Sequence, residues 1–183
     1  MRVEYRQKEI CKYEPKAIHV VDLSENNLVE LVRDLRSSLG YIEGDFKTFT
    51  LDVNSKYFEM LLNKSGPYDF VMNLSAMKHV RNEKDPYSLM RMIETNFLST
   101  KNILRYMKKF QVKKYFCVST DKASSPINMM GASKRIMEHI LFDQSNEIQI
   151  STARFANIIF SDGSLMCGVE NRLKKQQPIS APY

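Results

Sequence analysis

Short apolar runs alternate with amphipathic stretches along this chain. Ala17–Leu23 (AIHVVDL) is apolar apart from His19 and an aspartate near its end, which reads as a buried strand. Ser24 then stands where a helix N-cap belongs, with Asn27 three positions on. Leu28, Leu31, Val32 and Leu35 recur at helical spacing until Gly40 and Gly44 mark an end and a turn. Lys47–Val53 (KTFTLDV) alternates and is rich in β-formers, a second strand that again closes near an aspartate. Phe58, Leu61 and Leu62 predict a short helix stopped by Gly66-Pro67, and Tyr68–Asn73 a third strand. Leu89–Phe110 reads as one long helix with Leu89, Ile93, Phe97, Leu104 and Met107 on its apolar side. Tyr115–Ser119 is a fourth strand, Ser133–Phe142 a helix, Gln149–Phe155 a fifth strand and Leu165–Lys175 a last helix, before Pro178 and Pro182 break the tail.

Strands alternating with helices through short loops predict parallel βαβ units, and hence a doubly wound, Rossmann-like α/β sheet. Neither a linker nor an internal repeat interrupts the pattern, so residues 1–183 are expected to form a single truncated domain. Ligands of such sheets sit beyond the carboxyl ends of the strands. The residues there are Asp22, Asp52, Asn73–Lys78, Thr120–Lys122 and Asn157–Ser164.

Composition narrows the function classes. With 43% apolar and 26% charged residues, the chain has enough apolar side chain to bury a core. Cys11, Cys117 and Cys167 are odd in number and widely spaced, which argues against a disulfide framework; no CxxC pair suggests a metal site, and a reducing cytoplasm is expected. No apolar run approaches the ~20 residues of a membrane span, and the N-terminus lacks the apolar stretch of a signal peptide. Lys and Arg total 27 against 21 Asp and Glu, a formal charge of +6 that could suggest nucleic acid. The cations are dispersed in short pairs such as Lys108-Lys109 and Lys113-Lys114, so solvated helix faces or a pocket for an anionic small molecule account for them, and no nucleic-acid partner is expected.

A dinucleotide domain carries GxGxxG after its first strand. The six glycines, at 40, 44, 66, 131, 163 and 168, never take that spacing. Asp22 nevertheless stands like the strand-end acid that accepts a hydrogen bond from an adenosine ribose, which lies ~20 residues past the glycines. Counting back places the loop and its strand before Met1, so the sheet is expected to be incomplete. In the strand order 3-2-1-4-5-6 the absent strand is central, and two inner strands are left with open edges.

The richest segment is Ser119-Thr120-Asp121-Lys122-Ala123, followed by Asn128-Met129-Met130-Gly131-Ala132-Ser133-Lys134-Arg135. A hydroxyl, a carboxylate and two amines near a strand's carboxyl end can move protons around a bound polyol. With Asp22–Leu28, Ser75–Val80, Glu94–Asn102 and Arg154-Phe-Ala-Asn157, these stretches resemble the extended short-chain dehydrogenase/reductases. They resemble most the polysaccharide-biosynthesis branch that contains UDP-N-acetylglucosamine 4,6-dehydratases, over residues 17–180. The resemblance implies a nucleotide-sugar dehydratase or epimerase domain for surface polysaccharide, with NAD or NADP as cofactor and, for 4,6-dehydration, a UDP-N-acetylhexosamine as substrate. Hydride leaves sugar C4, a base takes the C5 proton, water leaves from C6, and hydride returns there. By motif, Asp121 is the implied acid and Lys122 the C5 base, while Thr120 bonds the sugar near O4. Lys134 holds the nicotinamide ribose, Asp22 the adenosine ribose, and Asp52-Val53 flank adenine, with Ala76 and Lys78 along the cofactor. Asn157, Gly163 and Ser164 lie near substrate and diphosphate.

The chain departs from that pattern in places. Where the family's YxxxK commonly supplies a tyrosine base, this chain has Met130, which cannot take a proton, so Asp121 or a water held by Lys134 must serve. Ala156 replaces a frequent glycine, and the chain ends at Tyr183, before the part that closes over the sugar. Blander readings stand beside these: Asp22 as a helix-flanking cap, Asp121–Lys122 as a surface ion pair, His79 and Asn96 as structural hydrogen-bonders, and Cys117 as a small core residue. An enzyme domain is therefore set against a non-catalytic homologue, a homo-oligomer or a subunit whose missing strand comes from a partner.

Overall fold

The computed structural model describes residues 9–40, 44–77, 83–156, 159 and 164–179. The chain divides into two compact units, one of residues 1–20, 24–49 and 157–183, the other of residues 21–23 and 50–156.

β1 (Ala17–Asp22) and β2 (Asp45–Thr50), which belong to the first unit as far as Val20 and Phe49, pair in a two-stranded sheet. The Asp45 amide donates to Lys16 O at 3.0 Å and the Leu51 amide to Asp22 O at 3.1 Å, so the strands run in the same direction. Between them, α1 (Glu25–Leu39) starts at Ser24, whose hydroxyl accepts from the Asn27 amide, and ends at Gly40, where φ is 77°. A positive φ of that size favours glycine. Leu28, Leu31 and Leu35 of α1 are buried, as their spacing predicts. No residue of β1 is buried, despite an inner strand's composition, and none of α6 (Leu165–Lys174) is.

The second unit is built on a three-stranded parallel sheet in the order β3 (Phe70–Asn73), β4 (Lys114–Thr120), β5 (Gln149–Phe155). β4 lies in the middle, with Tyr115, Cys117 and Ser119 buried on one face. Against Tyr115 and Cys117 pack Phe58 of α2 (Lys56–Ser65), Ile103, Leu104, Tyr106 and Met107 of α4 (Ser99–Lys109), and Met137 and Leu141 of α5 (Met129–Gln144). Burying each such side chain contributes about 1.5–3 kcal/mol.

Three sequence expectations need correction. The single helix over 89–110 is α3 (Pro86–Ile93), a π turn (Glu94–Leu98) and α4. Of the expected apolar side Leu104 and Met107 are buried, together with Met92, Asn96, Ser99, Thr100, Ile103 and Tyr106, while Leu89, Ile93 and Phe97 are only half-buried. The second strand stops at Thr50, which leaves Asp52 and Val53 in a turn. The helix expected from Ser133 begins at Met129, because Asn128 caps it through the Gly131 amide. The α/β class stands: strands and helices alternate and the sheets are parallel, consistent with a Rossmann-like, doubly wound topology, incomplete in that the sheets are short.

Candidate functional site

A cavity of about 330 Å³ opens in the second unit at the carboxyl ends of the strands. Val21, Asp22 and Leu23 form one wall, Leu51–Asn54 a second, Ser75, Ala76 and Met77 a third, and Arg91, Thr95 and Ser99 the remainder. The turn after β2 is held by Asp52 itself, whose Oδ1 accepts from the Asn54 amide at 2.8 Å. Its Oδ2 accepts from Arg91 at 3.3 and 3.4 Å, and Arg91 also reaches Glu94 at 3.3 Å. That bridge separates the cavity from a neighbouring hollow of about 410 Å³ lined by Asn54, Ser55, Leu98 and Asn102. Carboxylates beside apolar Val21, Leu51 and Val53 suit a ligand with a diol at one end and a flat ring at the other.

The third wall is fixed from behind. Asn73 Oδ1 accepts from the Ser75 amide at 3.1 Å. Asn96, 1% exposed, accepts from the Met77 amide at 2.8 Å, donates to Met77 O at 3.0 Å and donates to Ser133 Oγ at 2.9 Å. The π turn aims this side chain inward, as π turns at functional sites commonly do. Asn96 thus ties the cavity wall to α5.

Lys134 on α5 is 4% exposed. Its amine donates to Val118 O at 3.2 Å and Ser75 O at 3.4 Å, and contacts Met137 Sδ at 3.7 Å. Burial pulls the amine's pKa down to about 8. At the end of β4, Thr120 Oγ1 donates to Asp121 Oδ1 at 2.9 Å, and the same oxygen accepts from the Lys122 amide at 2.9 Å and Lys122 Nζ at 3.4 Å. The Thr120 hydrogen bond, then the Lys122 charge, hold the Asp121 carboxyl below its ordinary range. Asp121 and Lys122 are both more than one-third exposed, at 53% and 39%. They therefore form a solvent-facing acid–amine pair, with a hydroxyl beside it.

Asp22, Asp52, Val53 and Ala76 therefore line one cavity, and Lys134 touches its wall through Ser75. Thr120, Asp121 and Lys122 form a second group, two to four residues beyond Val118, whose carbonyl Lys134 holds. Lys78, His79, Asn157 and Gly163 lie outside the described residues. Ser164 belongs to the other unit, where its hydroxyl accepts from the Cys167 amide and caps α6. Met130 is buried, and its amide donates to Glu83 Oε1 at 2.8 Å. Arg91, Glu138 and Arg154 escape a sequence reading: Arg91 meets Asp52 across 39 positions, a distance at which no local pattern speaks.

Fold and site define a Rossmann-like α/β protein with a ligand cavity at the strand ends. More particularly, the chain belongs to the polysaccharide biosynthesis protein family, whose model matches residues 5–181. It is 30% identical over 181 residues to an uncharacterized membrane protein of Methanocaldococcus jannaschii, covering 96% of this chain and 51% of that one. It is 29% identical over 167 residues to an inverting UDP-N-acetylglucosamine 4,6-dehydratase of Campylobacter jejuni, covering 88% of this chain and 47% of that enzyme. The chain thus spans about half the length of these relatives. Among solved structures, UDP-glucuronic acid 4-epimerase from Bacillus cereus in complex with NAD superposes with a TM-score of 0.67 at 16% identity, over 93% of this chain and 60% of that one, a likeness of fold. Among the described residues, no helix is long and apolar enough to cross a membrane.

Proposed function

We propose that this chain carries the cofactor and acid–base residues of an NAD(P)-dependent nucleotide-sugar dehydratase, acting in the cytoplasm on a UDP-N-acetylhexosamine for surface polysaccharide. The observation that carries the reading is the pairing of the Asp22–Asp52 cavity with the Thr120–Asp121–Lys122 cluster, bridged by Lys134 between Ser75 and Val118. The cavity's lining suits NAD or NADP: Asp22 for the adenosine ribose, Asp52 and Val53 for adenine and Ala76 along the cofactor, with Lys134, behind the Ser75 wall, for the nicotinamide ribose. When bound, the nicotinamide would supply an acceptor for the hydride of sugar C4 and, once reduced, a hydride donor for C6.

The remaining steps fall to the chain's own groups. Asp121 starts ionised and Thr120 already donates to it; the threonine oxygen accepts from the Lys122 amide at 3.4 Å and keeps a second lone pair for the sugar's O4 hydroxyl. The O4 proton passes through Thr120 to Asp121 as C4 becomes a ketone, a path that needs no tyrosine at position 130. Lys122 is the proposed acceptor of the now acidic C5 proton. Asp121 returns its proton to O6, the C6–O6 bond breaks and water leaves. Lys122 hands the C5 proton back as C6 is reduced, giving a 4-keto-6-deoxy sugar with one water lost. Asn157, Gly163 and Ser164 remain proposed for the substrate side, and Lys78 for the cofactor. The test is NMR of UDP-N-acetylglucosamine incubated in D₂O with the chain and NAD⁺ or NADP⁺. The expected product is a 4-keto-6-deoxy sugar with deuterium at C5, lost by at least ~10²-fold in Asp121→Asn with an unchanged melting temperature. Unaltered substrate with the wild-type chain contradicts the proposal.

The sheets favour a second reading. Among the described residues β3 has one sheet neighbour, β4, although Phe70, Val71 and Met72 are apolar, and Phe70 is 48% exposed. An open apolar edge is a template for another strand. On this reading the chain is a non-catalytic homologue or a subunit, and a partner chain supplies a strand to β3. Sedimentation of a well-folded monomer at all concentrations, with β3 amides protected from exchange, contradicts it.

A further inference from the structure

One turn beyond Lys134 on α5 sits a carboxylate that the proposed chemistry does not use. Glu138 Oε1 accepts from Ser119 Oγ at 2.6 Å and from Arg154 Nε at 2.8 Å, and Oε2 accepts from Arg154 Nη2 at 2.6 Å. Arg135 Nη1 stands 4.0 Å from Oε2. The Glu138 side chain is only 14% exposed while Arg154 is 42% exposed, so a two-pronged fork joins a mostly buried carboxylate to a guanidinium that reaches solvent. The parallel register makes Ser119 and Arg154 direct neighbours on β4 and β5. One carboxylate therefore fastens α5 to both strands at their carboxyl ends, next to the Thr120–Lys122 cluster.

Residues four apart share a helix face, so the clamp stands beside Lys134. Among the described residues the amine donates to two carbonyls and a thioether and to no acid. The titratable groups whose charge reaches it are Cys117 on β4 and Glu138 on α5. Burial pushes the Cys117 thiol up to about 12, so it is neutral at ordinary pH. The Arg154 hydrogen bond holds the Glu138 carboxyl below its ordinary value, so it is ionised. We propose that Glu138 is a positioning residue for Lys134: clamped by Arg154 and Ser119, it locks the helix onto β4 and β5 and supplies the counter-charge for the buried amine. The role deepens, and rests on, the reading of Lys134 as a cofactor-holding cation.

The test follows the Lys134 amine by NMR in chain labelled with ¹³C at lysine Cε, without ligand, the resonance being assigned by its loss in Lys134→Met. Glu138→Gln keeps the shape and removes the charge; the Lys134 midpoint falls by about one pH unit, tenfold in its protonation equilibrium. Glu138→Asp changes the length and keeps the charge, and holds the midpoint near the wild-type value. Arg154→Met leaves the carboxylate's field uncompensated and moves the midpoint up. A merely structural clamp moves the Gln and Asp variants alike, or moves neither; either result overturns the proposal, even if Arg154→Met does not fold. NAD⁺ binding is measured separately. If the titrations behave as expected and NAD⁺ does not bind, the cofactor reading fails while the pairing of Glu138 with Lys134 stands.

Discussion

Lys134 carries an electrostatic cost that the other site residues do not. Its amine titrates near pH 8 in the folded chain against 10.5 for an ordinary lysine. Between those values the unfolded chain binds more protons, so this residue's contribution to stability rises with pH; below pH 8 the full penalty applies. The shift corresponds to about 3 kcal/mol. Cys117 works in the opposite sense: its thiol is raised from 9.0 to about 12, so its contribution falls as pH rises through that window. Comparing Lys134→Met with the wild type cancels the Cys117 effect. Urea denaturation should find the variant more stable at pH 7 by about 1–3 kcal/mol, allowing for the two carbonyls that lose a donor, with the advantage shrinking by pH 10. A variant less stable at pH 7 contradicts the burial cost. The position of Lys134 was legible from its spacing after Met130, but its burial was not, because the carbonyls that hold it come from residues 75 and 118.

At the scale of elements, α5 and the 3-10 turn over Asp121–Ala123 meet at Gly131. A Cβ there would lie 2.7 Å from Lys122 O and 3.3 Å from Pro126 Cβ, so the helix start approaches the acid–base turn as closely as a side-chain-free residue allows. Gly131→Ala must push Lys122 or α5 aside. Thermal denaturation should show a loss of about 1–3 kcal/mol, and product formation should fall with it. An unchanged melting temperature contradicts this packing. Helix starts were readable because capping side chains announce them, as at Ser24, and Asn128 could have placed the start of α5 four residues before Ser133. The π turn was not readable. Ile93 and Phe97 keep a helical apolar spacing in the sequence, yet within the turn Asn96 is the buried side chain, and only its tertiary bonds to Met77 and Ser133 reveal this.

At the scale of the molecule, the alternating apolar runs were enough to foresee parallel strands at the right places, because each strand's pattern is local. The ion pairs Asp52–Arg91 and Glu138–Arg154 were not, because each depends on which strands and helices become neighbours. The sheets also differ in burial: β4 is central and has Tyr115 fully enclosed, whereas no residue of β1 is buried. Amide exchange in the isolated chain should therefore be slowest in β4 and markedly faster in β1. Equal protection of the two strands contradicts that ordering. The central claim is that the Asp22–Asp52 cavity takes the cofactor. It is tested most directly by calorimetric titration of the purified chain with NAD⁺ and NADP⁺, repeated with Asp22→Ala. Saturable one-site binding, weakened about tenfold to a hundredfold by the loss of a charged hydrogen-bond acceptor, is the predicted result. Heats no greater than dilution for both nucleotides, from a chain whose β4 amides are protected, would contradict it.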